Sequence, residues 1–236
     1  MFSKILAFLL FLIFLPILLF SQLSYNREIV DRPNVSVISN IAYKLPFRGE
    51  NYKFYGTLRF HISGHAFVNN KVYNTFIEAR HLSLCNMPEI HMRLLKSSGK
   101  KEGRLYPRKS SLCGNYIIFM TPLMRNGKPV KFYYRTGLFR YFNQFDKNGK
   151  IKRESQVCID FETLSQYLIN LDNAAHFFGL KVNTVTVKRE YIKKLYNTSL
   201  GTELKNRDLR FVKYLSRKTN RKYEELFLVE FGFERK

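Results

Sequence analysis

Between residues 161 and 187 the apolar pattern changes period, and this change constrains the fold more than any other feature of the chain. Phe161, Leu164, Leu168, Leu171, Ala175 and Phe178 recur every three or four residues, which gathers them on one face of a helix. Asp160 is placed to cap the start of that helix and Gly179 its end. Residues 182–187 then run β-branched, as a strand does. A helix that feeds a strand across so short a gap needs both element types in one unit. The rest of the chain repeats the pairing. Val72, Phe76, Ala79 and Leu82 form one apolar stripe on a helix over residues 69–84, and Ile192, Leu195 and Tyr196 mark a short helix. Residues 52–61, residues 90–94, the apolar run 116–120 and the alternating segment 225–233 read as strands. A turn-rich stretch with Asn126-Gly127 and Lys147-Asn148-Gly149 surrounds the aromatic cluster Phe132, Tyr133 and Tyr134, and a basic loop spans about 205–222. The expectation is a single α+β domain.

The 236 residues suit one domain, and a hydrophobic content of 45% excludes wholesale disorder. With 22 Phe, 15 Tyr and no Trp, the core should be rich in aromatic packing. Three cysteines, Cys85, Cys113 and Cys158, are too few for a disulfide framework or a cysteine-based zinc module. They allow one disulfide plus a free thiol, and the sequence does not select the pair.

Residues 5–20 are apolar apart from Pro16 and follow a single cation, Lys4. The run has the length of a secretory h-region and falls short of the ~20 residues a membrane-spanning helix prefers. Residues 1–21 are therefore read as a signal peptide or an uncleaved N-terminal anchor, residues 22–49 as a linker or a strap over the domain, and residues 50–236 as the domain. In either case the domain is exported, to the periplasm or tethered at the inner membrane. Forty Lys plus Arg against 18 Asp plus Glu give a formal charge of +22. One reading makes this charge an adhesive for an anionic polymer; the other makes it a scattered basic surface from Lys-rich composition. Export argues against a nucleic-acid partner and for one in the cell envelope, with membrane association open through the N-terminal segment.

The local motifs for chemistry are sparse. His61 and His65 are four apart, but Gly64 lies between them and the flanks read as strand or turn, so a helical zinc pair is not expected. His81 and His176 fall within helical patterns as surface residues. No nucleophile elbow or phosphate-binding glycine loop is present, and Cys113 has no obvious base nearby.

Three segments taken together are more informative: YPRKSSLCGNYIIFMTP at residues 106–122, the helix opening with Asp160-Phe161-Glu162, and EELFLVEF at residues 224–231. Their order and spacing resemble the penicillin-insensitive murein endopeptidases, zinc enzymes of the cell wall. The resemblance covers roughly residues 52–233 and matches scaffold positions Ser110, Gly114, Phe119, Pro122, Glu230 and Phe231. It implies the fold of D-Ala-D-Ala carboxypeptidases and hedgehog signalling domains, with a small mixed or antiparallel sheet packed against helices. It also places the family's zinc ligands on Ser111, Ile118, Leu226 and Leu228 of this chain. Zinc needs N, O or S lone pairs at about 2 Å, which Ile and Leu do not offer. No His follows His176, so the terminal strand cannot supply one in any register.

The reading that follows is a degenerate member of that family: a pseudoenzyme with no zinc and no catalytic residues, although zinc is expected of the family itself. Its former cleft would be a groove with Arg108, Lys109, Tyr116 and Glu230 beside the erased ligand positions. Leu226 and Leu228 are expected to be well buried against Ile118 as an apolar plug. The expected ligand is peptidoglycan or another anionic envelope polymer. The alternatives are a membrane-tethered scaffold with a protein partner, or an active hydrolase with a site relocated to Cys113 or to His61 and His65.

Overall fold

The segment with the clearest period-two alternation forms the longest strand of the largest sheet. In the computed structural model, which describes residues 42–54, 66–87, 92–97, 114–130 and 144–233, this strand is β12 (Leu226–Phe233). Before it come β1 (Ala42–Lys44), β2 (Arg48–Gly49), β3 (Tyr52–Phe54), β4 (Phe67–Asn69), β5 (Met92–Ser97) and β6 (Tyr116–Met120). Next follow β7 (Leu123–Arg125), β8 (Lys128–Pro129), β9 (Lys150–Ile151), β10 (Glu154–Ile159) and β11 (Leu180–Thr186). The helices among the described residues are α1 (Asn70–Asn86), α2 (Phe161–Phe177), α3 (Arg189–Tyr196), α4 (Gly201–Asn206) and α5 (Arg217–Lys222). Helices and mixed or antiparallel sheets thus occur together, as an α+β domain requires, and all the described residues fall in one compact unit.

The main sheet has six strands in the order β11-β12-β6-β5-β3-β2, antiparallel throughout except for the parallel pair β3 and β5. Its core face is built by alternation. Phe227, Val229 and Phe231 of β12 are fully buried together with Ile117 and Phe119 of β6 and Leu94 of β5. These residues pack with Val72, Phe76 and Ala79 of α1 and with Leu164, Leu168, Leu171 and Ala175 of α2, in one cluster. The Phe119 ring stacks on Phe227 with centroids 5.0 Å apart and lies 6.3 Å from Phe76, the aromatic core that the composition predicts.

Local chemistry sets the helix ends. The Asp160 carboxylate accepts hydrogen bonds from Thr163 N at 3.0 Å and Thr163 Oγ1 at 2.7 Å, closing the first turn of α2. Gly179, at φ +66°, donates its N–H to the His176 carbonyl at 3.0 Å just past the end. Asn69 caps α1 by accepting from Lys71 N at 2.9 Å.

Three regions differ from the sequence expectation. The turn-rich stretch carries an entire second sheet, β8-β7-β10-β9, over its own core of Leu123, Phe145, Ile151, Val157, Ile159 and Tyr191. Asn126 and Gly127, at φ +51° and +75°, supply the two left-handed residues of a tight hairpin between β7 and β8. Its strands are two to six residues long, too short for alternation to stand out from the turns around them. The basic loop contains α5 and the end of α4, and α5 buries no residue, so no apolar stripe announces it. Alternation along β12 would carry Phe233 onto the core face with Phe227, Val229 and Phe231, yet it is 46% exposed, with the Lys71 ammonium of α1 5.6 Å from its ring centre.

The last residues of the segment read as linker or strap are built into this architecture: β1 pairs with β4, Leu45 is fully buried, and β2 edges the main sheet. Cys85 is exposed and Cys158 half-buried; both are free thiols, so neither closes a disulfide with the other. Among the described residues no helix is long and apolar enough to cross a membrane. The apolar run 5–20 and the aromatic cluster 132–134 lie outside the described residues.

Candidate functional site

Because side chains alternate across a strand, the residues of β6 and β12 that skip the core share the opposite face of the sheet. The antiparallel register sets Leu226 against Met120, Leu228 against Ile118 and Glu230 against Tyr116. Ile118 and Leu228, two of the four positions matched to zinc ligands, are therefore direct cross-strand partners. Leu226 lies on the same face, two residues before Leu228. Leu95, Ile118 and Met120 are buried in one apolar cluster, with Tyr116, Leu226 and Leu228 packed against it.

The packing departs from expectation in one respect. Leu226 and Leu228 are half-buried rather than deeply buried, unlike Phe227 and Val229 on the other side of the same strand. They border the apolar cluster and leave part of their surface to solvent. Glu230, the acidic neighbour on this face, accepts a hydrogen bond from Thr184 Oγ1 on β11 at 2.7 Å, so its carboxylate is tied to the adjacent strand. Ser111, Arg108 and Lys109 lie outside the described residues, as do Cys113, His61, His65 and His91.

The donor chemistry of the two facing positions does not fit zinc. Both side chains end in carbon and offer no lone pair, and Glu230, the carboxylate two residues beyond Leu228, is tied to Thr184. Among the described residues, no three His, Cys, Asp or Glu side chains gather where they could hold a metal ion. His81 is exposed on α1. His176 is exposed on α2, with its Nε2 3.6 Å from the carboxylate of the buried Asp172 one helical turn before it, and that carboxylate also takes Arg207 Nη1 at 2.8 Å.

A second concave region lies just ahead of β12. A cavity of about 430 Å³ opens where the end of the β9 hairpin, the start of α3 and α5 meet. Lys152, Lys188, Arg217 and Arg221 line it together with Glu224, Gln144 and Asn220. Lys188 is buried; its Nζ lies 3.0 Å from Glu224 Oε1 and 5.3 Å from the centre of the Tyr191 ring. The other Glu224 oxygen accepts from Phe145 N at 3.2 Å. Burial, reinforced by the nearby Glu224 carboxylate, holds the Tyr191 hydroxyl well above the ordinary tyrosine range. It stays protonated and donates to the Glu224 carbonyl at 3.3 Å. Sequence reading noted the basic stretch that contributes two of these cations but had no means of seeing their convergence with Lys152 and Lys188.

The chain matches no protein-family model and no curated protein.

Proposed function

We propose that this protein is an exported binding protein of the cell envelope, built on the murein-endopeptidase fold with its zinc site erased. In this reading it holds peptidoglycan or another anionic envelope polymer without cleaving it. The observation that carries the reading is the direct pairing of Ile118 with Leu228, two carbon side chains at adjoining positions where the resemblance calls for a carboxylate and an imidazole. Lowering the pKa of a bound water requires an ion held by N, O or S donors, and these positions offer none. The charge of +22 supports a polyanionic ligand.

Two measurements on the full-length protein test the proposal. Sedimentation with purified murein should retain the protein, with retention falling steeply toward physiological salt as charge pairs are screened over roughly 8–10 Å. Zinc analysis after dialysis should find less than one ion per chain, and the triple substitution Ser111→His, Ile118→Asp, Leu228→His should raise it to one. Stoichiometric zinc on the wild-type chain, or no murein retention at low salt, overturns the reading. A normally folded triple variant that takes up no zinc shows that the three positions do not converge.

A further inference from the structure

We propose that the cavity between the β9 hairpin, the start of α3 and α5 is a binding site for a phosphate-bearing ligand. The site goes beyond the envelope-polymer reading of the strand face and does not depend on it. Its charge balance comes first. Lys152, Lys188, Arg217 and Arg221 face one carboxylate, Glu224, leaving three positive charges in excess. Glu224 cannot offset more than one of them. One of its oxygens takes Lys188 at 3.0 Å and the other takes Phe145 N at 3.2 Å, so both are committed. Lys152 donates to the neutral Gln144 Oε1 at 3.3 Å. The guanidinium groups of Arg217 and Arg221 have no hydrogen-bond or ion-pair partner among the described residues.

The second observation is how the arginines are held. They lie four residues apart on α5, which places them on one face, where like charges repel and weaken a helix. Nor does the core hold α5, because it buries no side chain. Polar ties fix it instead. Asn220 Oδ1 accepts from Arg189 N at 2.8 Å, Asn220 Nδ2 donates to Glu190 Oε2 at 3.0 Å, and Ser216 Oγ caps the helix by accepting from Thr219 N at 3.2 Å. Two planar, multi-donor cations are thus presented toward two ammonium groups by a network that leaves their own N–H groups unused.

The excess charge selects the ligand chemistry. A single carboxylate brings one negative charge and two oxygens, whereas a phosphate monoester brings about 1.5 to 2 charges and three strong acceptors. A diphosphate comes closest to offsetting the excess of three. A volume of about 430 Å³ lies within the usual range for small-ligand sites and leaves room for an organic group beyond the phosphates.

The test is calorimetric titration of the full-length protein in neutral detergent, with inorganic pyrophosphate as the probe and citrate as a carboxylate of similar charge. Pyrophosphate should bind saturably at one site, and tighter than citrate. The double variant Arg217→Ala, Arg221→Ala should weaken it roughly a hundredfold, about tenfold for each charge-assisted contact. The charge-matched control Lys193→Ala, Lys213→Ala, neither of which lines the cavity, should leave affinity within about twofold. Doping the micelles with phosphatidic acid assigns the source: displacement of pyrophosphate means that a lipid phosphate enters the cavity, and retention means a soluble one. Absence of saturable binding overturns the proposal, as does citrate binding equally well or the control losing as much as the arginine pair. Murein sedimentation of the wild-type protein is read separately: its failure counts against the envelope-polymer reading and leaves the cavity proposal standing, whereas wild-type retention lost in the arginine variant would show that the polymer itself enters the cavity.

Discussion

The start of β12 joins two regions of opposite character. Glu224 belongs to a cavity of four cations held by side-chain hydrogen bonds, while Leu226 and Leu228, a few residues on, belong to an apolar face held by strand register. In the first, charged groups are in place but few apolar contacts secure them. In the second the backbone geometry is secure, but the side chains are carbon. Scaffold and charge lie apart: a register that could align donors across β6 and β12 aligns Ile118 with Leu228, and two of the four cavity cations sit on a six-residue helix with no buried side chain.

Removing Glu224 should have the largest effect on this contrast. Lys188 has only 9% of its side chain exposed, and Glu224→Ala leaves it without its carboxylate and Phe145 N without its acceptor. The expected loss is about 3 kcal/mol, read as a lower urea midpoint. Adding Lys188→Met should recover part of that loss, because an apolar chain of similar length has no charge to leave unpaired. No recovery would mean that the pair is not coupled, and the cavity would then owe its shape to packing.

The apolar face should respond more weakly and with a different signature. Leu228 is half-buried, so Leu228→His sets an imidazole beside Ile118 with part of its surface in water. The expected loss is about 1–2 kcal/mol, without zinc uptake, since the facing position offers no donor. Unchanged stability would show that the face tolerates polar groups and is not held by apolar contact.

The same contrast explains what could be read from the sequence. Period-two alternation exposes β12 because one of its sides is core, and helical spacing exposes α1 and α2 because each presents a full apolar stripe to the sheet. The pairing of Ile118 with Leu228 follows from strands that were legible individually. The cavity has no such signal. Residues 144 and 152, residue 188, and residues 217 and 221 come from three separate parts of the chain and are polar or charged, so only tertiary structure brings the three parts together. The second sheet was hidden for a related reason, since strands of two or three residues between turns carry no measurable alternation.

If the cavity arginines serve binding rather than the fold, the Arg217→Ala, Arg221→Ala variant should change stability by no more than about 0.5 kcal/mol, while its pyrophosphate affinity falls. Both side chains are exposed and without described partners, so their removal leaves no buried group unsatisfied. A large loss of stability would move them from ligand recognition to support of α5.

The smallest effect concerns acid, and it separates the two regions without altering either. Burial pushes the Glu190 carboxyl up, but the Asn220 amide, its own backbone hydrogen bond and the charges of Lys188 and Arg189 outweigh burial, and its pKa lies below the ordinary 4.5. A depressed carboxylate pKa means that the unfolded chain binds the proton more readily, so the contribution is complete above the ordinary value and is lost as pH falls through the folded one. Glu190 Oε2 receives Asn220 Nδ2, and Asn220 holds α5 against α3, so the loss falls on the cavity wall. Acidification below about pH 4.5 should therefore raise amide exchange in α5 before it does so in β6 and β12. In Glu190→Gln, which keeps an acceptor but cannot titrate, that early rise should be absent. If α5 and β12 loosen together in both proteins, the cavity and the strand face belong to one cooperative unit and the separation drawn between them fails.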